Sequence, residues 1–425
     1  MMKKPILGVA VLSLFLAALS VATGPSWAQT EKTPESAKGI AAVVLPFVDS
    51  HALAGAVTLV ASKDKVLDLE AVGYADLAAK KPMKTDDLFW IASQTKPMTA
   101  TAMMMLVDEG KVNLDDPVEK YLPEFKGQML EVKQEKGPAV LKKPVHPITI
   151  REILSHTSGL PNIPPKGGRW DKLSLKDSVL GYASTPLALE PGTKHVYCNA
   201  GINTAGRIIE VVSGMPYEEF MVSRLFKPLG MKDTTFWPTE EQVQRLAKSY
   251  KPNKEKTGLE ETPITQLTYP LTSRERHGFP AGSLFSTATD LSTFCRMILN
   301  GGVYGGKRYV SEAAVQEMTS TQTGDLLNLE ARRAADGGLA RLNKNENGYG
   351  LCWATSRKVH DKAGPGSGGG FGHGGAYATD MQIDPQRGLI MILMVQRAGL
   401  PGPEAGKIRS EFRKAAMEAF SKQKP

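Results

Sequence analysis

Cysteine, long apolar runs and clustered charge are all scarce in this 425-residue chain. The three cysteines, Cys198, Cys295 and Cys352, can form at most one disulfide, and their spacing matches no zinc motif. Buried free thiols are therefore the expected state. No segment after the N-terminal apolar stretch is long and apolar enough to span a bilayer. The formal net charge of +8 could favour anionic partners such as cell-wall polymers or lipid headgroups, but no Lys/Arg run argues for nucleic-acid binding.

Several motifs of other enzyme classes are missing or incomplete. No Gly-x-Ser-x-Gly elbow of an α/β-hydrolase is present. Residues 364–369 match Gly-x-Gly-x-x-Gly, but Pro365 breaks the turn and no helix follows. Residues 301–307 begin like a phosphate-binding loop, but Arg308 stands where Ser or Thr would bind magnesium. Four histidines lack the spacing of a metal site: His146, His156, His195 and His277. We therefore expect no metal and no cofactor, and expect His156 to hold its loop through hydrogen bonds.

The N-terminus has the pattern of an export signal. Lys3 and Lys4 precede an apolar stretch at residues 6–22, and small residues flank a cleavage point after Ala28. An uncleaved membrane anchor is the alternative, since the stretch is just long enough. The sequence predicts a signal peptide at 1–28, a linker at 29–35 and one catalytic domain at 36–422, located in the periplasm or secreted, with no stable membrane span after cleavage.

Strand patterns lie at both ends of the chain and helical patterns lie between them. Residues 57–69 predict a β-hairpin around a polar turn at 62–65, and residues 377–395 predict a second hairpin whose later strand is apolar throughout. Helices are predicted before residue 50 and at the C-terminus, and residues 126–147 form a Lys- and Pro-rich surface insertion that could be a small hairpin. The expected fold class is α/β of the α+β type: an antiparallel sheet built from both termini, with a mostly helical region inserted at about 100–269.

Ser93-Gln94-Thr95-Lys96 precedes a segment that is apolar on nearly every face. Such a helix is buried, and Pro97 is tolerated because it falls in the first turn. Positions i and i+3 share a face, so Lys96 can reach the Ser93 hydroxyl. Burial favours the neutral amine, which can accept the serine proton. The bland alternative is a helix cap followed by an exposed lysine.

Two further elements fit the same chemistry. Tyr197 could share its proton with Lys96 and act as a general acid, and Asn199 could hydrogen-bond Lys96 and the substrate. His373-Gly374-Gly375 precedes Ala376, which we expect to open a strand whose edge binds substrate. His373 could supply a donor or a positive charge to that side of the cleft. A core tyrosine, a turn asparagine and a glycine-rich loop are the structural alternatives.

In this order the three elements resemble the serine β-lactamases and penicillin-binding proteins, in the branch of class C β-lactamases, D-alanyl-D-alanine carboxypeptidases and related esterases. That family has Ser-x-x-Lys, then Tyr-x-Asn, then Lys-Thr-Gly or His-x-Gly. Further stretches are similar to the family: residues 154–160, residues 228–231 and residues 282–291. The resemblance covers roughly residues 40–420.

The resemblance implies a β-lactamase/transpeptidase-like fold and an acyl-enzyme that water hydrolyses. By that resemblance Ser93 is the nucleophile, Lys96 its base and Tyr197 the second proton carrier. Asn199 would position Lys96 and the substrate. The substrate-binding strand edge would be formed by His373, Gly374, Gly375 and Ala376. The backbone N–H groups of Ser93 and Ala376 would form the oxyanion hole.

Four positions depart from the β-lactamase pattern. His373 and Gly374 replace the Lys and Thr of Lys-Thr-Gly, and a lost hydrogen bond to a charged group costs about 1.5–3 kcal/mol. Ile163 aligns where the lactamases have an amide, and Cys198 replaces a common serine. We therefore expect a serine hydrolase of esters, amides or D-peptides. The alternatives are a class C-like β-lactamase or D,D-carboxypeptidase, and a non-catalytic protein that binds cell-wall fragments.

Overall fold

The computed structural model describes residues 39–134, 136–162, 169–324, 326, 347–356 and 370–420. The predicted signal peptide and linker, the position of Ile163 and the glycine-rich motif at 364–369 lie outside these residues.

Strands dominate both ends of the described chain and helices dominate its middle, as the sequence predicts. The α-helices are α1 (Leu45–Asp49), α2 (Thr95–Asp108), α3 (Ile150–Leu154), α4 (Leu175–Ala183), α5 (Asn199–Ser213), α6 (Tyr217–Phe220), α7 (Lys227–Leu229), α8 (Glu240–Gln244), α9 (Ala288–Leu299), α10 (Glu312–Thr319) and α11 (Gly402–Phe420). Short 3₁₀ turns occur at Ile40–Val43, Ala92–Gln94, Val118–Lys120 and Pro123–Phe125, and a π-helical turn at Met221–Phe226 joins α6 to α7. The strands are β1 (Gly55–Ala61), β2 (Val66–Asp76), β3 (Lys81–Pro82), β4 (Phe89–Trp90), β5 (Leu130–Val132), β6 (Val140–Lys142), β7 (Tyr250–Pro252), β8 (Leu259–Glu261), β9 (Phe285–Ser286), β10 (Val303–Tyr304), β11 (Lys307–Arg308), β12 (Asn347–Tyr349), β13 (Ala354–Ser356), β14 (Phe371–Gly374), β15 (Asp380–Asp384) and β16 (Leu389–Met394).

Strands from both ends of the chain form one antiparallel sheet. Within the described residues its order is β12-β13-β14-β15-β16-β1-β2-β3. The N-terminal hairpin joins the C-terminal strands where β1 pairs with β16, with Val57 opposite Met394 and Leu59 opposite Ile392. In sequence, the helical region between β4 and β9 is therefore inserted between the strands that the two ends of the chain contribute to this sheet, as the sequence predicts.

Both faces of this sheet are apolar. On β16, Ile390 and Ile392 point into the large cluster formed with the central helices, whereas Met391 and Leu393 point into a smaller cluster beneath α11. All six residues of β16 are buried. A strand covered on both faces has no polar alternation, which explains its continuous apolar sequence.

Two local predictions need correction. The helix predicted before residue 50 is only the 3₁₀ turn Ile40–Val43 followed by the five-residue α1. Ala376 does not open a strand: β14 ends at Gly374, and Ala376 lies in the turn that follows. Glycine-rich sequence is compatible with either a strand end or a turn, so the pattern could not place this boundary. The insertion at 126–147 does contain a hairpin, β5–β6.

Candidate active site

Ser93 lies in the 3₁₀ turn Ala92–Gln94, immediately before the buried helix α2. Ala92 has φ = +46°, a conformation that costs a non-glycine residue about 1 kcal/mol. The Thr95 hydroxyl donates to the Ala92 carbonyl over 2.7 Å, which holds this turn in place. The serine is thus presented by a strained and tightly bonded segment, as is common for catalytic residues.

Lys96 lies one turn further and faces the serine. Its Nζ is 3.0 Å from Ser93 Oγ and donates to the Ala281 carbonyl over 2.5 Å. The side chain has no exposed surface. Burial lowers the pKa of Lys96 to about 7, because removal from water disfavours the ammonium form. A neutral amine that donates one hydrogen to Ala281 keeps a lone pair that can face Ser93.

The Ala281 carbonyl is a partner that the sequence did not reveal. Asn203 Oδ1 accepts the Ala281 N–H over 3.1 Å, and Asn203 Nδ2 donates to the Tyr182 hydroxyl over 3.3 Å. Asn203 lies one helical turn after Asn199 on α5. That spacing was the available signal for Asn203, but a backbone carbonyl has no signature in a sequence.

Tyr197 lies just before α5, next to the serine and the lysine. The centroid of its ring is 4.8 Å from Lys96 Nζ. Burial raises the pKa of Tyr197, and its hydrogen bond with Ser93 opposes that effect. The phenol therefore keeps its proton at neutral pH.

Asn199 is the first residue of α5. Its backbone N–H donates to Asn162 Oδ1 over 3.1 Å. The hydrogen-bond partners of Lys96 in the described part of the chain are Ser93 and Ala281, so the bond from Asn199 to Lys96 that the motif suggested is not formed there. The Asn199 side chain remains next to the tyrosine motif.

The end of β14 lies against the serine turn. Gln94 Nε2 is 3.4 Å from the His373 carbonyl oxygen. A side chain on Gly375 would approach the Ile91 carbonyl oxygen to 2.6 Å, so only glycine permits this contact. Ala376 is exposed, and neither its N–H nor that of Ser93 has an acceptor among the described residues. These two donors are the ones that the oxyanion-hole prediction requires.

A chain of side-chain hydrogen bonds connects the tyrosine segment to the β14 edge. The Cys198 N–H is 3.2 Å from His156 Nδ1, and His156 Nε2 is 3.2 Å from the Tyr349 hydroxyl. The same hydroxyl is 3.0 Å from His373 Nε2, and His373 Nδ1 is 2.7 Å from the Gly374 carbonyl oxygen. His156 thus holds its loop as expected. Tyr349, at the end of β12, was not singled out from the sequence.

His373 does not carry the positive charge that the sequence suggested. Only 8% of the residue is exposed. Burial and the nearby Lys96 lower the pKa of His373 to about 3. Both ring nitrogens are engaged within the protein. The side chain lies at the predicted strand edge, but as a neutral imidazole.

Two other predictions concern metals and thiols. The described residues contain no group of three His, Cys, Asp or Glu side chains arranged to hold a metal ion. Cys198, Cys295 and Cys352 are free and buried, as expected. Burial raises the pKa of Cys198 to about 11, which leaves its thiol protonated.

An antiparallel sheet carrying helices, with a serine, a buried lysine and a tyrosine in contact, is the arrangement of a serine acyl hydrolase. The family model described as "Beta-lactamase" matches residues 40–416. The chain belongs to the beta-lactamase family, and it is a serine hydrolase of that family.

Relatives of known sequence cover most of the chain. An uncharacterized protein of Mycobacterium tuberculosis is 32% identical over 82% of this chain and 87% of its own length. Esterase EstB of Burkholderia gladioli is 29% identical over 83% and 88%. An N-acetylmuramyl-L-alanine amidase of Bacillus subtilis is 29% identical over 82% and 78%.

Solved structures support the fold. EstCE1, described as a hydrolase with promiscuous acyltransferase activity, superposes with a TM-score of 0.71 at 24% identity, covering 89% of this chain and 97% of that protein. A class C beta-lactamase of Rhodobacter sphaeroides gives 0.64 at 19% identity, with 89% and 99% covered. No helix within the described residues has both the length and the apolar character needed to cross a membrane.

Proposed function

We propose that this protein hydrolyses acyl substrates through a covalent intermediate on Ser93, with Lys96 as the base and Tyr197 as the second proton carrier. The observation that carries the proposal is the 3.0 Å contact between Ser93 Oγ and a fully buried lysine amine. An ammonium would be costly in that environment, whereas a neutral amine is a competent base. Burial thus prepares the nucleophile before substrate binds.

Acylation follows from the protonation states of the three side chains. The Ser93 oxygen attacks the substrate carbonyl carbon while its proton passes to Lys96. The bond to the leaving group then breaks, and the leaving oxygen or nitrogen takes the Tyr197 proton. Lys96 returns a proton to Tyr197, so both groups end as they began.

Deacylation reverses the roles. Water attacks the Ser93 ester, its proton passes to the Tyr197–Lys96 pair, and Ser93 recovers a proton as the acid product leaves. The N–H groups of Ser93 and Ala376 are the proposed donors to the oxyanion of both tetrahedral intermediates. Their lack of other acceptors in the described structure supports this role.

We propose that the preferred substrates are uncharged next to the scissile bond, with simple esters favoured over β-lactams. In β-lactamases with Lys-Thr-Gly, the strand offers a cation and a hydroxyl to the carboxylate of the β-lactam. In this protein His373 is neutral and Gly374 has no hydroxyl. The relatives suggest three substrate classes: esters, amides and D-peptides. They include esterase EstB, the amidase of Bacillus subtilis and putative D-alanyl-D-alanine carboxypeptidases of Salmonella. Small molecules or peptides, including cell-wall peptides, are the proposed partners.

Covalent labelling tests the reaction directly. A fluorophosphonate probe should add to Ser93, as located by peptide mass spectrometry, and Ser93→Ala should abolish the adduct. Lys111→Met, at an exposed lysine, is the matched control that keeps labelling. A protein that folds but forms no adduct with fluorophosphonate or penicillin would instead be a binder of cell-wall fragments.

Parallel kinetics test the substrate preference. We expect kcat/KM for 4-nitrophenyl butyrate to exceed that for mono-4-nitrophenyl succinate, in which a carboxylate replaces the terminal methyl group, and that for a cephalosporin. Labelling of Ser93 together with faster turnover of cephalosporin or of a D-Ala-D-Ala peptide would favour the β-lactamase or carboxypeptidase alternative.

We also propose that residues 1–28 direct export to the periplasm or the medium. The charged start and the apolar stretch support this. Cell fractionation with intact-mass analysis should find a chain that begins at Gln29 outside the cytoplasm. A full-length chain in the membrane fraction would indicate the uncleaved anchor.

A further inference from the structure

The hydrogen-bond chain between Cys198 and Gly374 has a direction that its two ends determine. At one end a backbone N–H can only donate, so His156 Nδ1 must be the acceptor and cannot carry a proton. At the other end a carbonyl oxygen can only accept, so His373 Nδ1 must carry the proton.

The middle of the chain then has one consistent arrangement. A histidine without a proton on Nδ1 is neutral and protonated on Nε2, so His156 Nε2–H donates to the Tyr349 oxygen. The Tyr349 O–H needs an acceptor, and His373 Nε2 lies 3.0 Å away. A proton on His373 Nε2 would leave that buried hydroxyl facing a second donor. Both histidines are therefore neutral, and they hold opposite tautomers.

We propose that His156 and Tyr349 are positioning residues that fix His373 as a neutral Nδ1–H imidazole and so hold the substrate-binding strand edge against the Tyr197 segment. The inference rests on the proposed function of Ser93, Lys96 and Tyr197 for its catalytic meaning, but its geometry stands without it. The chain joins the residue after Tyr197 to the last residue of β14, which are the two sides of the site.

This chain of hydrogen bonds also makes Tyr349 a specificity determinant. A histidine at a strand edge could become charged and bind a substrate carboxylate. While Tyr349 donates to His373 Nε2, that nitrogen has no lone pair available for a proton. The chain thus keeps the β14 edge uncharged, which suits an uncharged acyl substrate.

The other groups that face His373 come from several elements. Lys96 of α2 and Arg409 of α11 disfavour a charge on it, and Asp380 of β15 favours one. Asp380 is itself 3.4 Å from Arg409 Nε, so the arginine partly offsets the effect of its negative charge on His373. The Tyr197 ring centroid is 6.2 Å from the imidazole. None of these side chains forms a hydrogen bond to the ring, so Tyr349 is the direct contact at Nε2.

Nitrogen NMR of histidine-labelled Ser93→Ala protein tests the tautomers without relying on turnover. We expect His156 to carry its proton on Nε2 and His373 on Nδ1, both neutral from pH 8 to pH 5. His156→Asn and Tyr349→Phe assign the signals. A proton on Nε2 of His373, or on Nδ1 of His156, overturns the proposal.

Substitutions then test the positioning role. Tyr349→Phe should raise the His373 midpoint by about one pH unit, the size expected for one lost hydrogen bond to the neutral form. It should also lower kcat on 4-nitrophenyl butyrate about tenfold with little change in KM, since small misplacements of catalytic groups mainly slow the chemical step. Tyr309→Phe removes a hydroxyl that donates to the Pro228 carbonyl and belongs to no part of the hydrogen-bond chain, so it is the matched control.

A second pair of variants remains informative if Tyr349→Phe folds poorly. His156 has φ = +60°, which asparagine tolerates better than alanine does. His156→Asn can still accept the Cys198 N–H, but it has no donor that reaches Tyr349. It should therefore retain more activity than His156→Ala. Equal losses of activity in the two His156 variants would contradict the proposed hydrogen-bond chain. An unchanged midpoint of the His373 titration in Tyr349→Phe would contradict it too. If His156 and His373 have the expected tautomers but Ser93 of the unmodified protein does not react with fluorophosphonate, the proposed function is contradicted instead.

Discussion

The two faces of the central sheet are built on different principles. The face beneath α11 is an ordinary apolar contact, in which Ile408, Phe412 and Ala416 cover the outward residues of β1 and β16. Its charged groups are paired: Asp380 is buried and forms an ion pair with the partly exposed Arg413. The opposite face also has a large apolar cluster, but it encloses polar and titratable groups.

Those enclosed groups are kept uncharged. Lys96, His156 and His373 all have pKa values lowered by burial, and Tyr197 and Tyr349 have raised ones. Each lowered or raised pKa means that the folded protein resists ionising the group, which costs stability wherever the unfolded chain would ionise it. The face beneath α11 therefore stabilises the fold, whereas the face that carries the proposed catalytic side chains holds neutral groups at a cost in stability.

The largest effect that would test this comparison is the loss of the base. Lys96→Met should lower kcat/KM by at least about 10³-fold, as expected for removal of the activating base. The same change should stabilise the protein. Unfolded lysine titrates near 10.5 and folded Lys96 near 7, so the unfolded state binds the extra proton between these values and stability rises with pH there. Removing the amine should add on the order of 4 kcal/mol at pH 7 and almost nothing above about pH 10.5.

Urea denaturation at pH 7 and pH 10.5, beside ester kinetics, measures both quantities. Lys111→Met, which removes an exposed amine, is the matched control and should leave the activity unchanged. A Lys96→Met protein that is less stable at pH 7 would mean that the ammonium form is accommodated in the fold.

On the other face, Phe412→Ala should have the reverse profile. The side chain is 1% exposed, so truncation leaves a cavity and costs about 3–5 kcal/mol of unfolding free energy. The kcat of the folded fraction should be unchanged, since Phe412 contacts the sheet face that carries no catalytic group. Loss of kcat in protein verified as folded would show that the two faces are coupled.

The pH–rate profile provides a smaller effect at the catalytic face. Because the proposed reaction needs neutral Lys96, kcat/KM for an uncharged ester should rise tenfold per pH unit up to about 7 and then level off. Tyr197 has a raised pKa and keeps its proton on the plateau. Phe412→Ala should give the same profile. A midpoint near pH 10 would instead indicate a solvated lysine.

The sequence predicted much of this arrangement, because each proposed catalytic side chain belongs to a short motif with its own local geometry. Ser93 and Lys96 share one helix face, and the apolar run after them predicts that this helix is buried. Both hairpins follow from alternation and turn residues.

What the sequence could not show depends on contacts between distant segments. The Ala281 carbonyl is a backbone group, and Tyr349 reads as an ordinary strand residue until the fold places it between His156 and His373. His373 is kept neutral mainly by burial, which the motif alone does not show. The strand expected to open at Ala376 was misplaced because glycine permits both a strand and a turn.

The smallest expected effect concerns backbone strain at the serine turn. Ala92→Gly removes the penalty of φ = +46° and should stabilise the protein by up to about 1 kcal/mol, less the extra entropy of an unfolded glycine. It should also lower kcat severalfold, because a looser turn presents Ser93 less precisely. His51→Gly makes the same change at an exposed residue with φ = +58° and should alter stability alone. Equal kcat in both variants would mean that the strain at Ala92 has no part in positioning the nucleophile.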